Sequence, residues 1–185
     1  MLADTQANAS GKYYSVDRRG VYFEGKELEL VANGVANGDV ESHIHQRYPQ
    51  GFSRHGLQYF RDSWIPGTFE DWRGGMIEQL LEATRLAHYP DKPGRFQSMF
   101  ATDSLDSAKR FREGHGSPEH GIYEIQPQGK VHRGDMALLA VGNTFATTDH
   151  KMHLYWQGKT LELAGYSPFW EHVIELPALV VGRVA

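Results

Sequence analysis

The sequence has no cysteine among its 185 residues. Disulfide bonds and thiolate metal ligands are therefore excluded, but the compartment stays open, because such a chain suits reducing and oxidising surroundings alike. No run approaches the roughly 18 consecutive apolar residues of a membrane span. Residues 1–10 also lack the charged and apolar segments of a secretory signal. We therefore expect a soluble protein without a membrane partner, either cytoplasmic or exported as an effector without a cleavable signal.

An excess of positive charge is missing as well. The formal net charge is -4, and acidic and basic residues are interspersed. Proteins that follow nucleic-acid phosphates usually carry a basic face. A protein partner is therefore expected more than a nucleic acid, and the oligomeric state stays open.

Length and composition favour a single domain, since 185 residues can bury a substantial core. Residues 1–11 are small and polar and are expected to form a flexible tail, followed by one domain over residues 12–185. Strand signals outnumber helix signals and do not alternate with them one for one. This pattern indicates an α+β fold with antiparallel or mixed sheets.

The clearest succession of elements starts after Pro93. Alternation over residues 96–101 predicts a short strand entered from a Pro-Gly turn. A helix of about three turns is expected next, capped by Asp103 or Ser104 and ended by Gly114.

Two further strand signals lie in the C-terminal half. Ile122–Gln126 alternates and stops at Pro127, which cannot donate to a strand ladder. The turn over residues 128–134 then leads to Asp135 and is expected to return it beside the end of that strand. The chain finishes on a β-rich run, Val173–Val184.

The N-terminal third combines strand signals with loops. Tyr13–Val16 predicts a strand, and Val21–Phe23 with Leu28–Val31 predicts a hairpin or a strand followed by a turn. Asn33–Gly56 is rich in Asn, Gly and Pro and is expected to be mostly loop, with one short strand inside it. Leu57–Trp64 is expected to be a further strand.

The longest predicted helix runs from Thr68 to His88. Thr68 followed by Asp71 is a weaker form of a capping box, and one face of the helix carries Ile77, Leu80, Leu81, Thr84 and Ala87. A later helix is expected with Thr148 as its cap and Gly158 as its stop.

Three stretches, in this order, resemble the motifs of the ADP-ribosyltransferase superfamily. Tyr13–Val16, with Gly25 downstream, resembles the first motif, and Arg95–Ala101 in front of a helix resembles the second. Ile122–Gly129 leading to Asp135 resembles the third. The likeness is to the small rifampin ADP-ribosyltransferases and to an uncharacterised bacterial family with a Pro-Ser-Arg, Phe-Ala, Tyr-Glu-Val and Tyr-Trp-x-Gly pattern.

The resemblance implies a fold in which two small antiparallel or mixed sheets flank a cleft, with peripheral helices. It implies NAD as substrate and transfer of ADP-ribose to an unknown acceptor, or hydrolysis of NAD, as in bacterial effectors and toxins. Asp135 would be the catalytic carboxylate that stabilises the ribosyl cation. Arg95 would bind a pyrophosphate oxygen, Ser98 would hold the ribose or amide edge, and Tyr14 or Phe100 would wall the nicotinamide.

A metal-dependent enzyme is the second hypothesis. His43 and His45 form a His-x-His pair that, on a strand, would point both imidazoles to one side, with His55 nearby. Cupin-type barrels hold a metal in this way. His150 and His153 form a second pair, at helical spacing.

A non-catalytic binding protein on the same fold is the third hypothesis. The rifampin-modifying enzymes have histidine and a stacking tyrosine where this sequence has Tyr14 and Met99. Turn chemistry also explains Asp135 after Gly134. NAD binding, zinc in the purified protein, or neither would separate the three hypotheses.

Overall fold

The structure is a computed structural model and describes residues 11–32, 38–62, 69–140 and 144–185. These ranges hold seven strands: β1 Tyr13–Asp17, β2 Glu27–Leu28, β3 Ser98–Ala101, β4 Gly121–Pro127, β5 Val131–Asp135, β6 Trp170–Glu175 and β7 Ala178–Arg183. They also hold five α-helices: α1 Gly38–Arg47, α2 Arg54–Leu57, α3 Phe69–His88, α4 Leu105–His115 and α5 Phe145–Trp156. The predicted α+β class is confirmed.

Two small antiparallel sheets organise these elements. The first has the strand order β1-β4-β7-β2, and the second has the order β3-β6-β5. They meet where β1 approaches the end of β3, because Tyr14 and Thr102 exchange two backbone hydrogen bonds of 2.8 Å. The Ser15 hydroxyl adds a bond of 2.9 Å to the Phe100 carbonyl. The first two motif strands therefore lie side by side.

The second sheet is covered by the two long helices. Its central strand, β6, has four consecutive buried residues, of which Val173 packs with Leu81 of α3 and Tyr155 of α5. The indole nitrogen of Trp156 donates to the Leu81 carbonyl at 2.8 Å and fixes α5 against α3. Because β6 is enclosed on both faces, any charged side chain on it must find a buried partner.

The predicted long helix is confirmed as α3, but its buried face is rotated. Ile77 and Leu81 are buried as expected, whereas Leu80 is 41% exposed. Besides the apolar pair, the buried face carries Glu78, Glu82 and Arg85. These charges can be buried because Glu78 pairs with Arg95, and Glu82 with Arg85. An apolar stripe alone could not reveal this orientation.

The N-terminal third is more helical than expected. Residues 21–23 form no strand, and β2 pairs with β7, so the predicted hairpin is wrong. The predicted loop Asn33–Gly56 contains α1, which buries none of its residues fully and packs only Ile44 against an aromatic cluster. The predicted strand Leu57–Trp64 is also wrong, because α2 continues into a π-helical turn, Gln58–Asp62.

Several boundaries also differ from the predictions. A 3-10 turn, Arg95–Gln97, takes the first half of the expected 96–101 strand, and α4 passes Gly114 to end at His115, with Ser104 as its cap. Thr144, one turn before Thr148, caps α5. Gly158 ends α5 as expected, with a positive φ of 68°.

Some predicted features lie outside the described residues. These are nearly all of the tail over residues 1–11, the end of the predicted strand at 63–64, and the capping box that starts at Thr68.

Among the described helices, none is long and apolar enough to cross a membrane.

Candidate functional site

A cleft of about 1080 Å³ lies against the two motif strands. Side chains of β1, β3, β6, α2 and α3 line it, so it draws on both sheets. Its volume is at the upper end of the roughly 300–1,000 Å³ typical of ligand pockets. Four of the predicted site residues line this one cleft: Tyr14, Arg95, Ser98 and Phe100.

Arg95 is the centre of a buried group of charges beneath the cleft. It is only 3% exposed, and its Nε and Nη2 donate to the two carboxylate oxygens of Glu78 at 2.7 and 2.8 Å. Its Nη1 donates to Glu171 at 2.6 Å and to the Tyr155 hydroxyl. We call Glu78, Arg95, Tyr155 and Glu171 the ionic cluster. All three Arg95 nitrogens donate to protein, so its role is to hold two carboxylates.

Glu171 presents one carboxylate oxygen differently from the other. Oε1 accepts both Arg95 and the Tyr155 hydroxyl, the latter at 2.8 Å. Among the described residues, none donates to Oε2. Because Glu171 lines the cleft, this anchored carboxylate can act on a bound molecule.

Close packing behind the cleft holds Tyr155 in place. Gly134 of β5 lies opposite Glu171 in the strand register, and a Cβ at Gly134 would lie 2.3 Å from the Tyr155 ring. Only glycine allows the ring to approach β5 this closely. The ring position in turn fixes the hydroxyl that holds Glu171.

The ionic cluster keeps its charges despite burial. Burial alone would raise the pKa of Glu78, but the charge and hydrogen bonds of Arg95 hold it well below its usual range. Burial would lower the pKa of Arg95, but Glu171 and Glu78 raise it well above its usual value. Burial also raises the pKa of Tyr155, so its hydroxyl stays protonated and donates to Glu171. The ion pair of Glu78 and Arg95 beneath the cleft therefore stays charged.

His55 lies on the cleft wall beside this cluster. Its Nε2 is buried and 3.3 Å from Oε2 of Glu78, just outside hydrogen-bond geometry. Its ring centroid is 4.7 Å from that of Phe100 and 5.1 Å from that of Tyr59. The Ser53 hydroxyl positions α2 by accepting from the Gly56 amide and donating to the Phe96 carbonyl.

Positive charge is concentrated at the opening of the cleft. We call the five cationic residues there the basic rim: Arg18, Arg19, Lys26, Arg54 and Arg61. In the part of the chain that the structure describes, two exposed acids, Glu27 and Glu29, and the buried Asp17 line the same cleft beside them. The rim is therefore positive although the whole chain carries -4, and it attracts anionic ligands.

The predicted nicotinamide-binding residues differ in accessibility. Tyr14 and Phe100 are half-buried, and the Phe100 ring lies 4.5 Å from the Arg95 guanidinium carbon. Ser98 is fully buried, and its hydroxyl donates to the Gly94 carbonyl at 2.7 Å. Tyr14 and Phe100 can therefore contact a ligand ring, while Ser98 holds the turn that carries Arg95.

Asp135 is fully buried at the end of β5 and does not line the cleft. One of its oxygens accepts the amides of Ala137 and Phe169, and the other accepts the hydroxyls of Thr160 and Tyr166. The expectation that it returns beside the end of β4 is wrong, because β5 pairs with β6 in the other sheet. Asp135 ties down the segment after α5.

The strand basis of the metal hypothesis is also wrong. His43 and His45 lie on α1, where residues two apart point in different directions. His153 of the second pair lies on α5, where it approaches Asp149 and the Tyr89 hydroxyl. Across residues 11–32, 38–62, 69–140 and 144–185, no group of three or more His, Asp and Glu side chains could hold a metal ion.

The fold and the cleft define an α+β protein with a cleft lined by charged side chains. Residues 68–181 match the family described as "Protein of unknown function (DUF2441)". The match covers more than half of the chain, which therefore belongs to this family. It includes the whole ionic cluster, whereas Tyr14 and His55 precede it. A search of curated proteins found no match.

Proposed function

We propose that the cleft binds NAD and that the protein transfers ADP-ribose to an acceptor or hydrolyses NAD. One observation carries the proposal: the two strands that resemble the first two ADP-ribosyltransferase motifs line a single cleft with an anchored carboxylate, Glu171, on the neighbouring strand. The residues that carry the resemblance are far apart in the sequence. Their convergence on one cleft supports it.

The proposed orientation of NAD follows from the charges. The pyrophosphate lies at the basic rim, where exposed arginines supply planar donors for phosphate oxygens. The nicotinamide ring lies at the inner end against Phe100 and Tyr14. The ribose between them then faces Glu171. Arg95, the residue expected to hold a phosphate, instead holds the carboxylates.

Glu171 takes the role for which the sequence indicated Asp135. Breaking the bond between nicotinamide and ribose develops positive charge on the sugar, and a fixed carboxylate lowers the energy of that charged state. Oε1 of Glu171 is held by Arg95 and Tyr155, which leaves Oε2 for the sugar. Asp135, with four donors on its carboxylate, acts through structure.

Calorimetry and nicotinamide release test the proposal together. We expect the parent protein to bind NAD and to release nicotinamide. Glu171→Gln keeps the side-chain shape and removes the charge, and should lower the release rate by on the order of 10²–10⁴. Glu175→Gln is the matched control on the same strand, where the carboxylate accepts only from Lys130 in the described structure. No NAD binding at millimolar concentration would exclude the function.

The acceptor can be sought by incubating labelled NAD with a cell lysate. Label on a protein, on nucleic acid or only in free ADP-ribose separates transfer from hydrolysis. NAD binding without turnover would instead identify a non-catalytic binding protein, the alternative raised by Tyr14 and Met99.

A further inference from the structure

His55 and Glu78 form a pair on the cleft wall that the proposed carboxylate chemistry leaves unused. The two groups come from different helices, α2 and α3, and approach to 3.3 Å beside the ionic cluster. The Nε2 atom of His55 is buried. The 20% of the His55 side chain that is exposed to solvent therefore consists of its other atoms. The histidine therefore faces Glu78 with one edge and the cleft with another.

Resting on the proposed function, we infer that His55 is the proton acceptor for the nucleophile and uses Nδ1 for this step. Glu78, whose Oε2 lies 3.3 Å from Nε2, favours the tautomer that carries a proton on Nε2 by electrostatic attraction and stabilises the imidazolium once the proton has been taken. A carboxylate behind an imidazole acts in this way in other nucleophile-activating arrangements.

The charges around His55 fit this role. Glu78 faces it from α3, Arg95 from the 3-10 turn and Tyr59 from the π-helical turn, and Arg54 precedes it in α2. Both Glu78 oxygens accept from Arg95, so the positive charge nearest to the ring is already paired. Because Arg95 keeps Glu78 ionised, the carboxylate remains available to the imidazolium at neutral pH.

The proposed step transfers the ribosyl group from nicotinamide to an oxygen nucleophile. The bond between C1′ of the ribose and the nicotinamide nitrogen breaks, and its electron pair leaves with the nicotinamide, which departs neutral. The oxygen of water or of an acceptor hydroxyl forms the new bond to C1′. Its proton passes to Nδ1 of His55 and then to solvent, while Glu171 remains the carboxylate next to the sugar.

The first test is the pH dependence of nicotinamide release at saturating NAD. For the parent we expect the rate to rise with pH through one ionisation, that of the proton acceptor, and then to level off. His55→Gln should lose this rise and lower the plateau by about 10²-fold, with NAD affinity on calorimetry kept within about twofold. His43→Gln, on the exposed helix α1, should match the parent.

A second measurement does not depend on activity or on a variant. NMR of the parent with ¹⁵N-labelled histidine should show His55 as the Nε2-protonated tautomer at high pH. An Nδ1-protonated ring, or a His55→Gln variant that keeps the parent's pH profile, overturns the inference and leaves the NAD proposal standing. A parent that neither binds nor cleaves NAD overturns both.

Discussion

Replacing Arg95 with methionine should destabilise the protein strongly. The change removes the cation that donates to Glu78 and Glu171 while leaving both carboxylates buried. Removing one partner of a buried pair usually costs about 3–5 kcal/mol. A buried carboxylate that has lost its cation can instead take up a proton, and at pH 7 protonating a carboxyl of ordinary pKa costs a similar amount, about 3–4 kcal/mol.

The pH dependence of the Arg95→Met loss has a definite sign. In the parent, the pKa of Glu78 lies below its ordinary value, so its contribution is complete above that value and is lost only in strong acid. In the variant, each buried carboxyl favours its protonated form, and protonation becomes easier as the pH falls. The difference in free energy of unfolding between parent and variant should therefore shrink by about 1.4 kcal/mol per pH unit for each such group between pH 7 and 5.

Urea denaturation at several pH values measures this difference. Adding Glu78→Gln and Glu171→Gln to Arg95→Met should remove its pH dependence, because no buried carboxylate remains in the cluster. Arg110→Met, at an exposed position of α4, should change stability by no more than about 0.5 kcal/mol. A loss below about 1 kcal/mol for Arg95→Met, or a gap that does not change with pH, would refute this description of the cluster.

Three further predictions concern the structure around the cleft. Gly134→Ala drives a Cβ into the Tyr155 ring and should cost about 1–3 kcal/mol in thermal or urea unfolding, with slower nicotinamide release. Asp135→Asn weakens bonds to a buried carboxylate and should cost roughly 2–3 kcal/mol, while nicotinamide release by the folded protein stays near the parental rate. Burial lowers the pKa of His132 to about 3 and of His172 to about 4, so the stability they contribute is complete above pH 6.5 and is lost as the pH falls from there.

Each of these predictions has a clear contrary outcome. Gly182→Ala should change stability little, because an added Cβ there meets nothing within 4 Å. A Gly134→Ala variant that loses no more stability than Gly182→Ala would contradict the close packing of Tyr155 on Gly134. A large fall in nicotinamide release for folded Asp135→Asn would restore Asp135 as the catalytic acid. For the histidines, urea unfolding between pH 6.5 and 4 should show stability falling by up to about 1.4 kcal/mol per pH unit for each ring, and a flat profile would contradict their neutral burial.

Local sequence patterns predicted those strands and helices that are determined by residues close together in the chain. The strand at Tyr13–Val16 and the strand at Ile122–Gln126 follow from alternation, and the long helix follows from its apolar period. The helix α1 escaped prediction because Val40 and Ile44 are its two apolar residues, and only Ile44 packs against the core, so its apolar face is short. Its composition of Asn, Gly and His neighbours indicated a loop instead.

The site was only partly predictable because its decisive contacts are distant in sequence. Arg95 pairs with Glu78, 17 residues away, and with Glu171, 76 residues away. The residues next to Glu78 and Glu171 in the sequence do not indicate which arginine pairs with them. A usable signal was still present: Glu171 precedes the apolar pair Val173 and Ile174 in a β-rich run, and Glu78 interrupts the apolar face of α3. A charge in such a place needs a buried partner.

Nicotinamide release by Glu171→Gln tests most directly whether Glu171 is the carboxylate of an NAD-cleaving site. We expect this variant to fold, to bind NAD and to release nicotinamide on the order of 10²–10⁴-fold more slowly than the parent, whereas Glu175→Gln should keep the parental rate. A folded Glu171→Gln protein that releases nicotinamide as fast as the parent would contradict this role for Glu171.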